Sequence, residues 1–228
     1  MNYPPTSREV QETVDIVQRW GKVNFRDFPW RHPRRRWHGL IAEILLQRTR
    51  AENVIPVYRA FLTSFPTLKR YAEASVEEIE QIIWPLGLRW RAPLLAALGR
   101  RLYERGRVPK SIEELTSLPG VGPYVAAAWL SFHGGGRGVL IDANVVRWIC
   151  RMIGRKYDGE TRRKKWLIEL ADRLTPEENV KQFNYAVLDF TMTICIPGEP
   201  RCETCPVGPR LCTYGREKFQ ASASQPEV

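Results

Sequence analysis

Four cysteines stand as Cys195-x6-Cys202-x2-Cys205-x6-Cys212 near the C-terminus, and soft thiolates set so closely are first of all a ligand set. Four of them can close on an iron–sulfur cluster or on zinc. Structural zinc sites usually pair two short Cys-x2-Cys knuckles across a longer gap. Here only the central pair is short, which favours one [4Fe-4S] cluster. The intervening Pro197, Gly198, Pro200, Pro206 and Pro209 would also permit disulfides, a lesser alternative for a chain that shows no signal peptide. Two carboxylates stand out as well. Asp142 precedes the helical run Ala143 to Cys150; its commonest use there is an N-cap, and the same helix terminus favours an ionised carboxylate able to face a developing cation. Glu43 lies inside Leu40-Ile41-Ala42-Glu43-Ile44-Leu45-Leu46, where a charge is seldom buried without a partner or a task. The plain alternative is a solvent-facing helix position.

The elements that must hold these groups are helices. Apolar residues recur at helical spacing, as in Val10, Val14 and Val17, or Leu94, Leu95, Leu98 and Leu102, while alternating β-branched runs are scarce, so the fold class is all-α. Punctuation at Pro66, at Pro85 to Gly87, at Gly106 to Lys110 and at Gly134 to Gly136 divides the chain into roughly ten short helices. Ser111-Ile112-Glu113-Glu114 has the capping-box pattern and starts one of them. That helix stops at Leu118-Pro119, a turn runs through Gly120, Val121 and Gly122, and Pro123 launches the next, which makes a helix-hairpin-helix over residues 111–133. Its glycines can turn backbone amides outward at a helix N-terminus, where a DNA phosphate docks without regard to sequence; a plain αα-corner is the alternative.

The 228 residues suffice for one sizeable core or two small lobes. The longest apolar runs fall far short of the about 20 residues a membrane span needs, so no membrane partner is expected. A net charge of +10, with patches such as Arg34-Arg35-Arg36 and Arg162 to Lys165, suits a polyanion and equally suits solvated helix faces. The eight tryptophans are assigned to cores, and the polar stretch 216–228 to a disordered tail.

Leu118-Pro119-Gly120-Val121-Gly122, then Ile141-Asp142-Ala143-Asn144-Val145-Val146-Arg147, then the four cysteines resemble the helix-hairpin-helix DNA glycosylases of the endonuclease III superfamily over nearly the whole chain. Asn24 to Arg31, Glu43 to Thr49 and Asp142 to Asn144 look most like the thymine (G·T) mismatch glycosylases, with the adenine glycosylase MutY close behind. The resemblance implies a terminal, cluster-bearing lobe from residues 1–28 and 139–215, a six-helix barrel from 29–138, and a DNA cleft between them. It places the catalytic carboxylate at Asp142 and a base-pocket acid, able to protonate the leaving base or its surroundings, at Glu43. Bifunctional relatives carry a lysine at the position of Tyr124, and a phenol cannot form an imine, so base loss by hydrolysis without efficient strand cleavage is expected. Gln47 and Leu88 match positions that plug the helix and wedge the opposite strand, with core packing the alternative for Leu88. Arg48 is placed to read the opposite base or, more commonly, to touch phosphate.

Two departures from that pattern stand out: Pro123 sits where relatives have Arg or Lys, and the last cysteine gap is one residue longer than usual. Cys150 reads as a buried apolar residue. The expected activity is removal of thymine or uracil opposite guanine in double-stranded DNA by a monomer in the cytoplasm of a prokaryotic-type cell, at the nucleoid. A MutY-like adenine glycosylase, an endonuclease III-like enzyme with weak lyase activity and a non-catalytic iron–sulfur DNA-binding protein are the alternatives.

Overall fold

Helical spacing of apolar residues carries through the whole chain. The computed structural model describes residues 4–223, and among them there are thirteen α-helices, several 3-10 turns and no strand. None of these helices is long and apolar enough to cross a membrane. The chain divides into two units, Asp27–Gly138 and the pair of segments Met1–Arg26 with Val139–Val228.

The terminal unit begins with α1 (Ser7–Val23), which Thr6 and Glu9 start with a reciprocal capping box. The central unit contains α2 (Arg36–Leu45), α3 (Ala51–Ser64), α4 (Leu68–Ala72), α5 (Val76–Ile83), α6 (Ala92–Arg105), α7 (Ile112–Thr116) and α8 (Pro123–Trp129). Leu40, Ile41, Phe61, Phe65, Tyr71, Leu95 and Trp129 are fully buried at its centre. From Trp37 to Leu45 every residue of α2 is buried, and a helix covered all round must run through a core rather than along it. That placement carries Glu43 inside. After Trp129 the helix widens into a π-turn over Leu130–Gly134.

The terminal unit continues with α9 (Ala143–Ile153), α10 (Lys165–Leu174), α11 (Val180–Thr193), α12 (Gly208–Leu211) and α13 (Thr213–Ala223). Two expectations change. Residues 216–223 belong to α13 instead of a disordered tail, because this segment packs on α9 and α12 and Lys218 pairs with Glu199 at 2.6 Å; 224–228 lie outside the described residues. Trp84 and Trp90 are 55% and 61% exposed, so not every tryptophan serves a core. Leu88 is only 6% exposed and packs in the central core, the alternative to an exposed wedge.

Candidate active site and cysteine centre

In the central unit, Ser111 accepts from the Glu114 amide at 3.2 Å and starts α7. The chain reverses through Gly120, whose φ of +76° lies in the left-handed region that glycine tolerates at little cost. Gly122 caps α8 and Pro123 takes its first position, where a missing N–H costs nothing. Val121 points inward and is buried, whereas a Cβ at Gly122 would meet nothing within 4 Å, so the backbone there is open to a ligand. Tyr124, in the first turn of α8, is partly buried against the core.

Glu43 is enclosed by α2's neighbours, its side chain 5% exposed, and its Oε1 lies 3.4 Å from His133 Nε2. Tyr58 of α3 is close enough for Glu43's charge to act on it. Burial first, and that charge second, push the Tyr58 phenol well above its usual range, and its hydroxyl is buried without a hydrogen-bond partner. Past the end of α2, the buried Arg91 donates to the carbonyls of Ile44 at 2.6 Å and Gln47 at 3.1 Å. These bonds satisfy helix-end carbonyls and fix the turn that presents Gln47 and the exposed Arg48, whose φ of +60° is a strained conformation for a side-chain-bearing residue.

In the terminal unit, Asp142 is the N-cap of α9, as its position allows: Oδ1 accepts from the Val145 amide at 2.7 Å and Oδ2 from Asn144 Nδ2 at 2.9 Å. Both oxygens are therefore fixed, and the helix terminus favours their negative charge. Asn144 is held in turn. Its Oδ1 accepts from Arg147 Nη1 at 3.0 Å, and the same buried guanidinium donates to the carbonyls of Cys195 at 3.0 Å and Thr191 at 2.8 Å. One turn on, Arg151 donates to the carbonyls of Ile196 and Gly198 and reaches Cys195 Sγ at 3.7 Å. Thus α9 ties Asp142 at one end to the cysteine loop at the other.

All five cysteines are free thiols. Cys195, Cys202, Cys205 and Cys212 line one cavity with Trp148, Phe190 and Tyr214, whereas Cys150 is buried away in α9. Burial pushes the thiols of Cys202, Cys205 and Cys212 upward, that of Cys212 to about 11, and neighbouring sulfurs add to it in each case. Gly215 N–H points at Cys212 Sγ at 3.4 Å, as amides do toward cluster sulfurs. Among the described residues no three Cys, His, Asp or Glu side chains converge tightly enough for a single ion. Four thiols around one cavity are the number and type of donors that a [4Fe-4S] cluster takes. The donor set fits the cluster.

Sequence reasoning located these groups but missed four side chains that hold or adjoin them. Arg147, between Val146 and Trp148, carried the signal that revealed Glu43, a charge within an apolar helical run; Arg91, in a turn beside Arg89, did not. Tyr58 and His133 carried none. Asp142 and the cysteines lie in the terminal unit, and Glu43, Tyr124, Gln47, Arg48 and the hairpin in the central one.

Residues 41–173 match the family model described as HhH-GPD superfamily base excision DNA repair protein. The thymine/uracil-DNA glycosylase of Pyrobaculum aerophilum is 37% identical over 211 residues, which cover 89% of this chain and 91% of that protein. That of Methanothermobacter thermautotrophicus is 35% identical over 212 residues, 92% of this chain and 96% of the relative. Among solved structures, a thermostable thymine-DNA glycosylase superposes with a TM-score of 0.84 at 35% identity, over 92% of this chain and 98% of that one.

Proposed function

The chain belongs to the HhH-GPD superfamily of base excision DNA repair proteins, and from that premise we propose that it hydrolyses the N-glycosidic bond of thymine or uracil opposite guanine in double-stranded DNA. The observation that carries the reading is Asp142, a carboxylate with both oxygens fixed at a helix N-terminus. Departure of the base leaves an oxocarbenium-like sugar, and a preset anion lowers the energy of that state without reorganising when it forms. Asp142 would face the sugar and steer the attacking water, and Glu43 would engage the departing base. The amides around Gly120 to Gly122 would receive a phosphate, and the loop of Gln47 and Arg48 would enter the duplex beside the extruded nucleotide, an extrusion that is easiest at a mismatch.

Tyr124 supports hydrolysis over strand cleavage, since no amine stands at its place to attack the sugar carbon. Cys195, Cys202, Cys205 and Cys212 would hold a [4Fe-4S] cluster. When bound, it supplies positive charge that offsets four thiolates, one buried and three half-buried, and braces the loop whose carbonyls Arg147 and Arg151 grip. The protein would act as a monomer at the nucleoid. The test is a set of duplexes bearing G·T, G·U, adenine opposite oxidised guanine and an oxidised pyrimidine, each scored with and without alkali. Breaks at G·T and G·U that need alkali are expected. Release of adenine alone, or breaks without alkali, would overturn the assignment.

A further inference from the structure

Glu43 has a neighbour that the reaction above does not use. The His133 side chain is 1% exposed and meets Glu43 through Nε2. Two backbone features put it there. The π-turn over Leu130–Gly134 carries the residue, and Gly39 of α2 leaves room for the ring: a Cβ at Gly39 would lie 2.5 Å from ring carbons of His133. No side chain at position 39 is compatible with this ring position.

His133 Nδ1 is buried and has no hydrogen-bond partner. A buried N–H without an acceptor is rarer and costlier than a buried lone pair, and a charged ring with an unpaired N–H is costlier still. The proton therefore belongs on Nε2, aimed at Glu43 Oε1, and Nδ1 keeps its lone pair. Glu43 is an acceptor in this arrangement, and its Oε2 makes no hydrogen bond among the described residues. A carboxylate oxygen left free to accept is the complement of the ring N–H on an imide edge.

We infer that His133 is a positioning residue that holds Glu43 as a hydrogen-bond acceptor for the ring N–H of thymine and uracil, so that cytosine-type bases, which present a lone pair at that ring position, are refused. This rests on the glycosylase reading above. It also turns the acid expected at Glu43 into an acceptor: the proton that matters is the base's own.

Single-turnover excision at G·T, G·U and G·5-methylcytosine duplexes tests it. His133→Leu fills the space against Gly39 without an N–H, and His133→Gln returns a neutral donor near the Nε2 position. Losing a bond to a charged acceptor should lower thymine and uracil excision by His133→Leu about ten- to a hundredfold at unchanged duplex affinity, and narrow the gap to 5-methylcytosine. His133→Gln should recover to within about threefold of the parent. Gly39→Ala, which displaces the ring and leaves the histidine in the chain, should reproduce the Leu phenotype and serves in its place if the Leu protein does not fold. Parental rate and base preference in the Leu and Ala variants would overturn the inference alone, as would an equal fall in Leu and Gln, which indicates packing only. Absence of thymine and uracil release from the parent protein would overturn the glycosylase reading and this inference with it.

Discussion

The two carboxylates of this protein are held by different physics. Glu43 is placed chiefly by shape: an all-buried helix in an aromatic and aliphatic core, and a glycine that admits the one imidazole ring it meets. Asp142 sits on a helix packed through Val145, Val146, Trp148 and Ile149, but its carboxylate is fixed by polar bonds, to the Val145 amide and Asn144, and through Arg147 to a carbonyl of the cysteine loop. Shape suits a pocket that must accept one base and reject others, because close-packed walls resist deformation. Fixed dipoles suit a group that must meet a charge formed only in the transition state.

That contrast predicts which substitutions act on rate and which on stability. The largest effect should come from Asp142→Asn. Asparagine caps a helix about as well as aspartate and gives up only the bond from Asn144, so the thermal unfolding midpoint should fall by only a few degrees while the excision rate falls about a thousandfold, roughly 4 kcal/mol of transition-state stabilisation. A large fall in the unfolding midpoint with the rate retained would mean that Asp142 serves the fold and not the chemistry, and the contrast would fail. Next comes Arg147→Met, which keeps the bulk but strips Asn144, Thr191 and Cys195 of their donor. Urea unfolding of the metal-loaded protein should show a loss of roughly 3 kcal/mol. An unchanged midpoint would show that packing also holds this unit.

The smallest effect belongs to the central unit. Burial, then Arg35 and Arg34, lower the His38 pKa from 6.5 to about 4. A depressed folded value means that the stability contributed is present above pH 6.5 and is lost as pH falls from there through about 4. His38→Phe should flatten the stability curve across that window, and a slope that survives the substitution would trace the acid sensitivity to other groups.

Much of this was legible because it is local. The cysteine spacing, the hairpin glycines and the Asp142 cap each depend on neighbours within a few residues, and Glu43 betrays itself by a charge in an apolar run. What was hidden depends on partners far apart in sequence: His133 is 90 residues from Glu43, and nothing around it marks a ligand-facing ring. Leu88 could not be assigned between wedge and core until the packing was seen. The C-terminal segment looked too polar to fold, and tertiary contacts with α9 and α12 outweighed its composition. Single-turn helices such as α4 and α7 also raised the number of elements above the ten or so expected, since one turn leaves no periodic pattern to read.

The π-turn after Trp129 has a consequence for how such a pocket can change in evolution. A π-turn amounts to one extra residue within a helix, and each α-helical residue turns the chain by about 100°. Removing a single codon between 130 and 134 would restore regular winding and rotate the imidazole off the carboxylate in one step, with the scaffold otherwise kept. Base choice in this protein could therefore be rewritten by a one-residue indel, a change that point mutations around the pocket would have to approximate piecemeal.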